Sequence, residues 1–127
     1  METHAAAINS AKLLLVEDET IIQIVMKAML EKLDCKFDLA KTGKEAIEKA
    51  NATKYNLILM DIGLPDMRGT EVARDIKGSM MNKDTAIIAV TGFSISDVET
   101  ECKAAGIIAV YNKPVDLNKL KIIVNIK

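Results

Sequence analysis

Five residues with chemistry to offer stand at the ends of apolar runs. Glu17 and Asp18 close KLLLVED, Asp61 closes NLILMD, Thr91 closes AIIAVT, and Lys113 follows IIAVY within NKP. Three carboxylates gathered at one crevice repel each other and call for a hard divalent cation. Mg2+ suits such a place because it keeps several of its waters and takes only one or two carboxylates. Lys113 adds a point charge for an oxygen that a metal does not hold, and Thr91 adds a hydrogen-bond donor. Together they are equipment for handling a phosphoryl group, with Asp61 as a nucleophile able to form an aspartyl phosphate. Taken one at a time the residues have plainer readings. Glu17 and Asp18 would start a helix, Asp61 would form a turn, Thr91 would be a strand-end hydroxyl and Lys113 a solvated loop cation. The joint reading holds if the fold brings the run ends together.

The runs themselves predict that it does. Leu57, Ile58, Leu59 and Met60 show no polar alternation, as expected of a strand covered on both faces in a parallel sheet, and Gly63 and Pro65 stop it just after Asp61. Lys12 to Glu17 is a second buried strand. From Thr20 the apolar positions Ile21, Ile22, Ile24, Val25, Ala28, Met29 and Leu33 recur at helical spacing, with Lys27, Glu31 and Lys32 on the other face. A short strand over Lys36 to Ala40 follows. Thr42 or Gly43 then opens a helix through Glu45, Ala46, Ile47 and Ala50. After the loop DMRG, a helix spans Thr70 to Lys77 and is closed by Gly78 and Ser79. Met80, Met81 and Asn82 read as packing or a loop edge. Ala86 to Val90 is the fourth strand. The next helix, Ser96 to Ala105, has Ser94 or Ser96 as its cap, Asp97 and Glu99 in its first turn, and Gly106 as its stop. Ile107 to Tyr111 is the fifth strand, and Asp116 caps a final helix from Leu117 to about Asn125. Strands alternating with helices imply an α/β, doubly wound parallel sheet with right-handed crossovers and helices on both faces. In such a sheet the carboxyl ends of the strands form the ligand crevice.

Composition points to a local site rather than a global field. Seventeen basic residues against 18 acidic ones leave a net charge of -1 over 127 residues, which gives no attraction for nucleic acid or anionic membrane. The length is that of one domain with its own core. Cys35 and Cys102 lie far apart without a CxxC or a nearby His, so they read as buried, reduced thiols of a cytoplasmic protein rather than metal or redox centres. No apolar run approaches the ~18 residues needed to span a bilayer. Residues 1–11, which hold the only histidine, His4, read as a flexible leader, and residues 12–127 as the folded domain.

Between Lys12 and Lys127 the sequence resembles the receiver domain of two-component response regulators. The acidic pair after LLLV, Asp61 in MDIGLPDMRG, Thr91 in AVTG and Lys113-Pro114 in NKPVD carry the likeness. The wording of MDIGLPDMRG and NKPVD is most like receivers attached to hybrid histidine kinases. The resemblance implies a flavodoxin-like sheet in the order 2-1-3-4-5. It also implies Mg2+-dependent phosphorylation of Asp61 by a histidine kinase or histidine phosphotransfer protein. Asp18, Asp61 and the Gly63 carbonyl would ligate the metal, and Glu17 would act through water. Lys113 would pair with the phosphoryl oxygen and Thr91 would move to hydrogen-bond it. The domain would be a phosphoacceptor without substrate turnover of its own. The last helix runs to the end of the sequence, so a single-domain regulator or a receiver cut from a larger protein is expected.

Two other classes compete. An Mg2+-dependent phosphohydrolase with an Asp nucleophile would carry a second Asp two residues later as acid and base, where this chain has Gly63. A plain interaction module, with a flavin or no ligand, would favour a Ser/Thr-rich phosphate loop after the first strand, which is lacking. Two departures from the receiver pattern shape further expectations. Where many receivers carry an aromatic three residues before the lysine, this chain has Val110, with Tyr111 next to it and so on the opposite face. The two positions near the path of attacking water are Gly63 and Phe93, neither able to orient it.

Overall fold

Because β3 (Leu57–Met60) has neighbours on both edges and helices over both faces, all four of its side chains are buried. The computed structural model describes residues 12–125, in which strands and helices alternate. The order is β1 (Lys12–Val16), α1 (Thr20–Lys32), β2 (Lys36–Ala40), α2 (Gly43–Ala52), β3, α3 (Gly69–Lys77), β4 (Ala86–Thr91), α4 (Ile95–Ala104), β5 (Ala109–Asn112) and α5 (Leu117–Val124). The sheet is parallel in the order β2-β1-β3-β4-β5, the flavodoxin-like arrangement expected. The leader with His4, and the last two residues, lie outside the described residues.

Strand alternation divides the core between the two faces. Leu14, Val16, Ile58, Met60, Ile87 and Ala89 meet α2, α3 and α4 through Ala46, Val72, Ile76, Val98 and Cys102. Leu13, Leu15, Leu57, Leu59, Ile88 and Val90 meet α1 and α5 through Met26, Leu30, Leu120 and Ile123. Register sets the site. Val16 lies opposite Met60 and Met60 opposite Ala89, so Glu17 and Asp61 leave the sheet side by side, and Thr91 pairs with Asn112 one residue before Lys113. The Asp61 N–H still donates to the Val16 carbonyl at 3.1 Å, which holds this exit in line.

Several local expectations are corrected. The buried line of α1 is Gln23, Met26 and Leu30, not the apolar positions named from the sequence. Ile21, Ile24, Val25 and Ala28 face solvent, while Ile22, Met29 and Leu33 are half-buried. Apolar residues occupy so much of this helix that spacing alone does not choose a face. Gln23 chooses it, because its amide donates at 2.8 Å to the Glu17 carbonyl where β1 ends. Ser94 holds the N-cap backbone position of α4 but makes no capping bond; its hydroxyl lies 3.0 Å from that of Ser96. That helix starts at Ile95, which leaves Asp97 alone as the acid of the first turn. β5 begins at Ala109, since Gly106 at φ +88° turns the chain and the Ile107 N–H closes the end of α4 by donating to the Cys102 carbonyl. Met80 and Met81 are an exposed edge. The buried residue there is Asn82, which accepts from the Tyr55 N–H and donates to the carbonyls of Ala50 and Thr53. Cys102 is buried and Cys35 only half so, both as free thiols.

Candidate functional site

The loop after β3 is fixed at three points. Asp66 accepts the N–H groups of Gly43 and Lys44 at 2.8 and 2.9 Å, capping α2 from outside, and these bonds hold its carboxyl below the usual carboxylate range. Gly63 and Arg68 form an antiparallel bridge, and the Gly69 N–H donates to the Ile62 carbonyl at 2.8 Å. A Cβ on Gly69 would collide with the carbonyl oxygen of Asp61 and lie 2.8 Å from the Ile62 Cα. Backbone cannot yield as a side chain can, so Gly69→Ala should displace the Asp61 exit and lower the melting temperature. An unchanged melting temperature would show that α3 can shift to make room.

Around that exit the structure brings together four of the five residues singled out from the sequence. Glu17, Asp18 and Asp61 each offer a carboxylate oxygen, all within 4.8 Å of one another. The Lys113 ammonium sits against them, 2.9 Å from Glu17 Oε1 and 3.2 Å from Asp61 Oδ2, with Glu19 at 3.9 Å. Asp61 Oδ1 accepts the Gly63 N–H at 3.2 Å. Glu17 and Asp61 are almost wholly buried, whereas Asp18 opens to solvent. Thr91 is the one held apart: it is buried, and its hydroxyl oxygen accepts the Phe93 N–H at 3.0 Å instead of meeting Asp61. Val110 packs on the α2, α3 and α4 side and Tyr111 on the α1 and α5 side, so no aromatic stands three residues before Lys113.

Electrostatics shows what the cluster lacks. Burial pushes the Glu17 carboxyl above its ordinary value, with Lys113 and the Glu19 N–H pulling the other way. Burial also raises Asp18, and the charge of Asp61 adds to it. Burial opposes the charge on Lys113, but Glu17 and Asp61 outweigh it and hold the ammonium above its usual value. A single ammonium thus partly neutralises three crowded acids. The unmet demand is for a hard cation with oxygen ligands, which fits Mg2+.

Sequence reasoning did not single out a group beside this cluster. Arg68 donates through Nε and Nη2 to both oxygens of Glu101, each at 2.7 Å, and its guanidinium lies 5.2 Å from the centre of the Phe93 ring. Thr70 adds a hydroxyl to the same carboxylate at 3.0 Å. No sequence signal pairs residues 33 positions apart across two helices.

The sequence of residues 13–125 matches the family model for the response regulator receiver domain. The chain belongs to that family. Curated relatives include sensor proteins, histidine kinases and a hybrid signal transduction histidine kinase. The receiver is 37% identical over 108 residues to the aerobic respiration control sensor protein ArcB of Escherichia coli, covering 84% of this chain and 14% of that protein. It is 31% identical to probable histidine kinase 1 of Oryza sativa, covering 89% of this chain and 15% of that protein. It therefore spans only about one-seventh of the length of these relatives. Among solved structures it is similar to the receiver domain of a sensor histidine kinase from Pseudomonas aeruginosa, which has a magnesium ion coordinated in its active site cleft. The TM-score is 0.84 at 32% identity, covering 90% of this chain and 93% of that one. A CheY-like receiver from Methanospirillum hungatei gives 0.82 at 31% identity, covering 90% of each chain. No helix of the described residues is long and apolar enough to cross a membrane.

Proposed function

We propose that this receiver accepts a phosphoryl group on Asp61 from a phosphohistidine on a histidine kinase or histidine phosphotransfer protein, in an Mg2+-dependent step. The observation that carries the reading is the buried Asp61 carboxylate at the end of β3, gripped by Lys113 and crowded by Glu17 and Asp18. An Asp61 oxygen attacks phosphorus, forming a P–O bond as the P–N bond breaks, and the imidazole leaves with the electron pair and takes up a proton. Asp18, Asp61 and the Gly63 carbonyl would hold the metal, with Glu17 acting through water. Mg2+ supplies positive charge that offsets repulsion between the carboxylates and the incoming phosphoryl oxygens. Lys113 turns its ammonium from Asp61 to a phosphoryl oxygen, and Thr91 gives up the Phe93 N–H to donate its hydroxyl there. The domain stores and passes on the group in the cytoplasm without turning over a substrate of its own.

The apolar stripe that α1 turns to solvent supports a protein donor. Ile21, Ile24, Val25 and Ala28 follow i, i+3, i+4, i+7 spacing on the helix that starts at the rim of the site, and Ile21 is 76% exposed. A helical partner bearing the histidine would cover it. Ile24→Glu should slow transfer from a phosphorylated histidine phosphotransfer protein at least about tenfold, the factor for about 1.4 kcal/mol of lost contact. Phosphorylation by acetyl phosphate should be unchanged. Equal loss with both donors would place the defect in the site instead.

A metal titration tests the site. Because the fold raises the Asp18 pKa, its charge opposes folding above the ordinary carboxylate value, and stability falls as pH rises from there through the raised value. Asp18→Ala should therefore raise the melting temperature of the metal-free protein. It should weaken Mg2+ binding by more than the about 10- to 100-fold that losing an outer partner of a metal site costs. An Mg2+ affinity equal to the parent's would remove Asp18 from the metal site.

A further inference from the structure

Phe93 is the aromatic beside the acceptor, and its placement is built rather than incidental. Atoms Cε2 and Cζ of its ring lie 3.4 Å from where a Gly63 Cβ would stand, and Gly63 is the residue whose N–H reaches Asp61 Oδ1. The backbone of Phe93 is tied at both ends, its N–H to the Thr91 hydroxyl and its carbonyl to the Asn112 amide at 2.7 Å. The ring is held by Arg68, within cation–π range. Arg68 in turn is held by the paired bonds from Glu101, whose second partner is Thr70, and the arginine keeps the Glu101 carboxyl below the usual range. A planar fork within cation–π range of a ring and locked by a carboxylate through two bonds is a geometry that lysine does not reproduce.

We propose that Arg68, locked by Glu101, is a positioning residue that holds the Phe93 ring as a cover over Gly63 beside Asp61 and so sets how easily water and small donors reach the acceptor. The inference rests on the reading of Asp61 as the phosphoacceptor. Thr91 couples the cover to the state of the site, because the hydroxyl that would turn toward a phosphoryl group is the one that now anchors the Phe93 N–H. With that anchor released, the Asn112 amide still holds the Phe93 carbonyl, and the Arg68–Glu101 pair is what bears on the ring itself.

A double-mutant cycle reads this directly. After phosphorylation with acetyl phosphate and donor removal, Arg68→Ala should hasten loss of the phosphoryl group about two- to fivefold, the factor that matches a cation–π contact at an exposed site. In a Phe93→Ala background Arg68→Ala should add nothing. Glu101→Gln, which keeps the shape but loses the charge, should give part of the same effect and the same dependence on Phe93. Equal acceleration in both backgrounds would overturn the proposal, and so would unchanged lifetimes in both Arg68→Ala and Glu101→Gln. Fluorine NMR of protein carrying 4-fluorophenylalanine provides a readout that needs no phosphorylation, since the chain has only two Phe residues. The Phe93 signal should shift in Arg68→Ala and in Glu101→Gln while that of Phe37 stays. A static Phe93 signal would also overturn the latch. A protein that takes no phosphoryl group but shows that shift would refute the acceptor reading alone.

Discussion

Phosphorylated protein freed from its donor should lose the group slowly, and Gly63→Asn and Phe93→Glu should each shorten its lifetime. Hydrolysis needs a water held in line with phosphorus, and general acid-base help in such a step is typically worth about 10²- to 10⁴-fold. Here the residue two after Asp61 has no side chain, and the residue two after Thr91 is a phenyl ring resting on it. Neither can orient or deprotonate water. The acceptor carboxylate is itself only 7% exposed, so little of it is open to water. An Asn side chain at position 63 starts with its Cβ in ordinary contact with the ring, so it can be accommodated and can present an amide to the attacking water. A slow clock suits a relay that hands the group on to a histidine phosphotransfer partner. Decay followed by mass spectrometry checks it: a parent that decays as fast as the two variants would contradict the role given to these positions.

The sheet was legible because most strands are short apolar runs; β2, KFDLA, is the exception, with Lys36 and Asp38 in it. Leu57 to Met60 needs no context to be read as doubly covered, and Asp61 marks where it leaves the core. The convergence of Glu17, Asp18, Asp61 and Lys113 follows from parallel order and register: alternating elements imply the parallel sheet, the resemblance to receivers implies its order, and the register is seen only in the fold. What escaped was whatever depends on side chains meeting across elements. The face of α1 was misread because its buried line includes Gln23, a polar residue that earns its place through the Glu17 carbonyl. Asn82 looked like loop filler and instead satisfies the Tyr55 N–H and two carbonyls that no strand reaches. Gly69 read as a loop glycine, although the approach of α3 to the Asp61 backbone is what requires it. Arg68 sits at the start of α3 and Glu101 within α4, and only folding shows that they grip one another with the guanidinium over Phe93.

The acceptor itself has the largest predicted effect. Asn at position 61 keeps the shape and the oxygen that accepts the Gly63 N–H, and Lys113 keeps its 2.9 Å partner in Glu17, so the fold should persist. What the amide lacks is the charged oxygen that attacks phosphorus and contributes to holding Mg2+. Intact-protein mass spectrometry after incubation with acetyl phosphate should show the parent gaining one phosphoryl group with Mg2+ and none without it, and Asp61→Asn gaining none under either condition. A gain that persists in Asp61→Asn, or one in the parent that is indifferent to Mg2+, would contradict the account of this site.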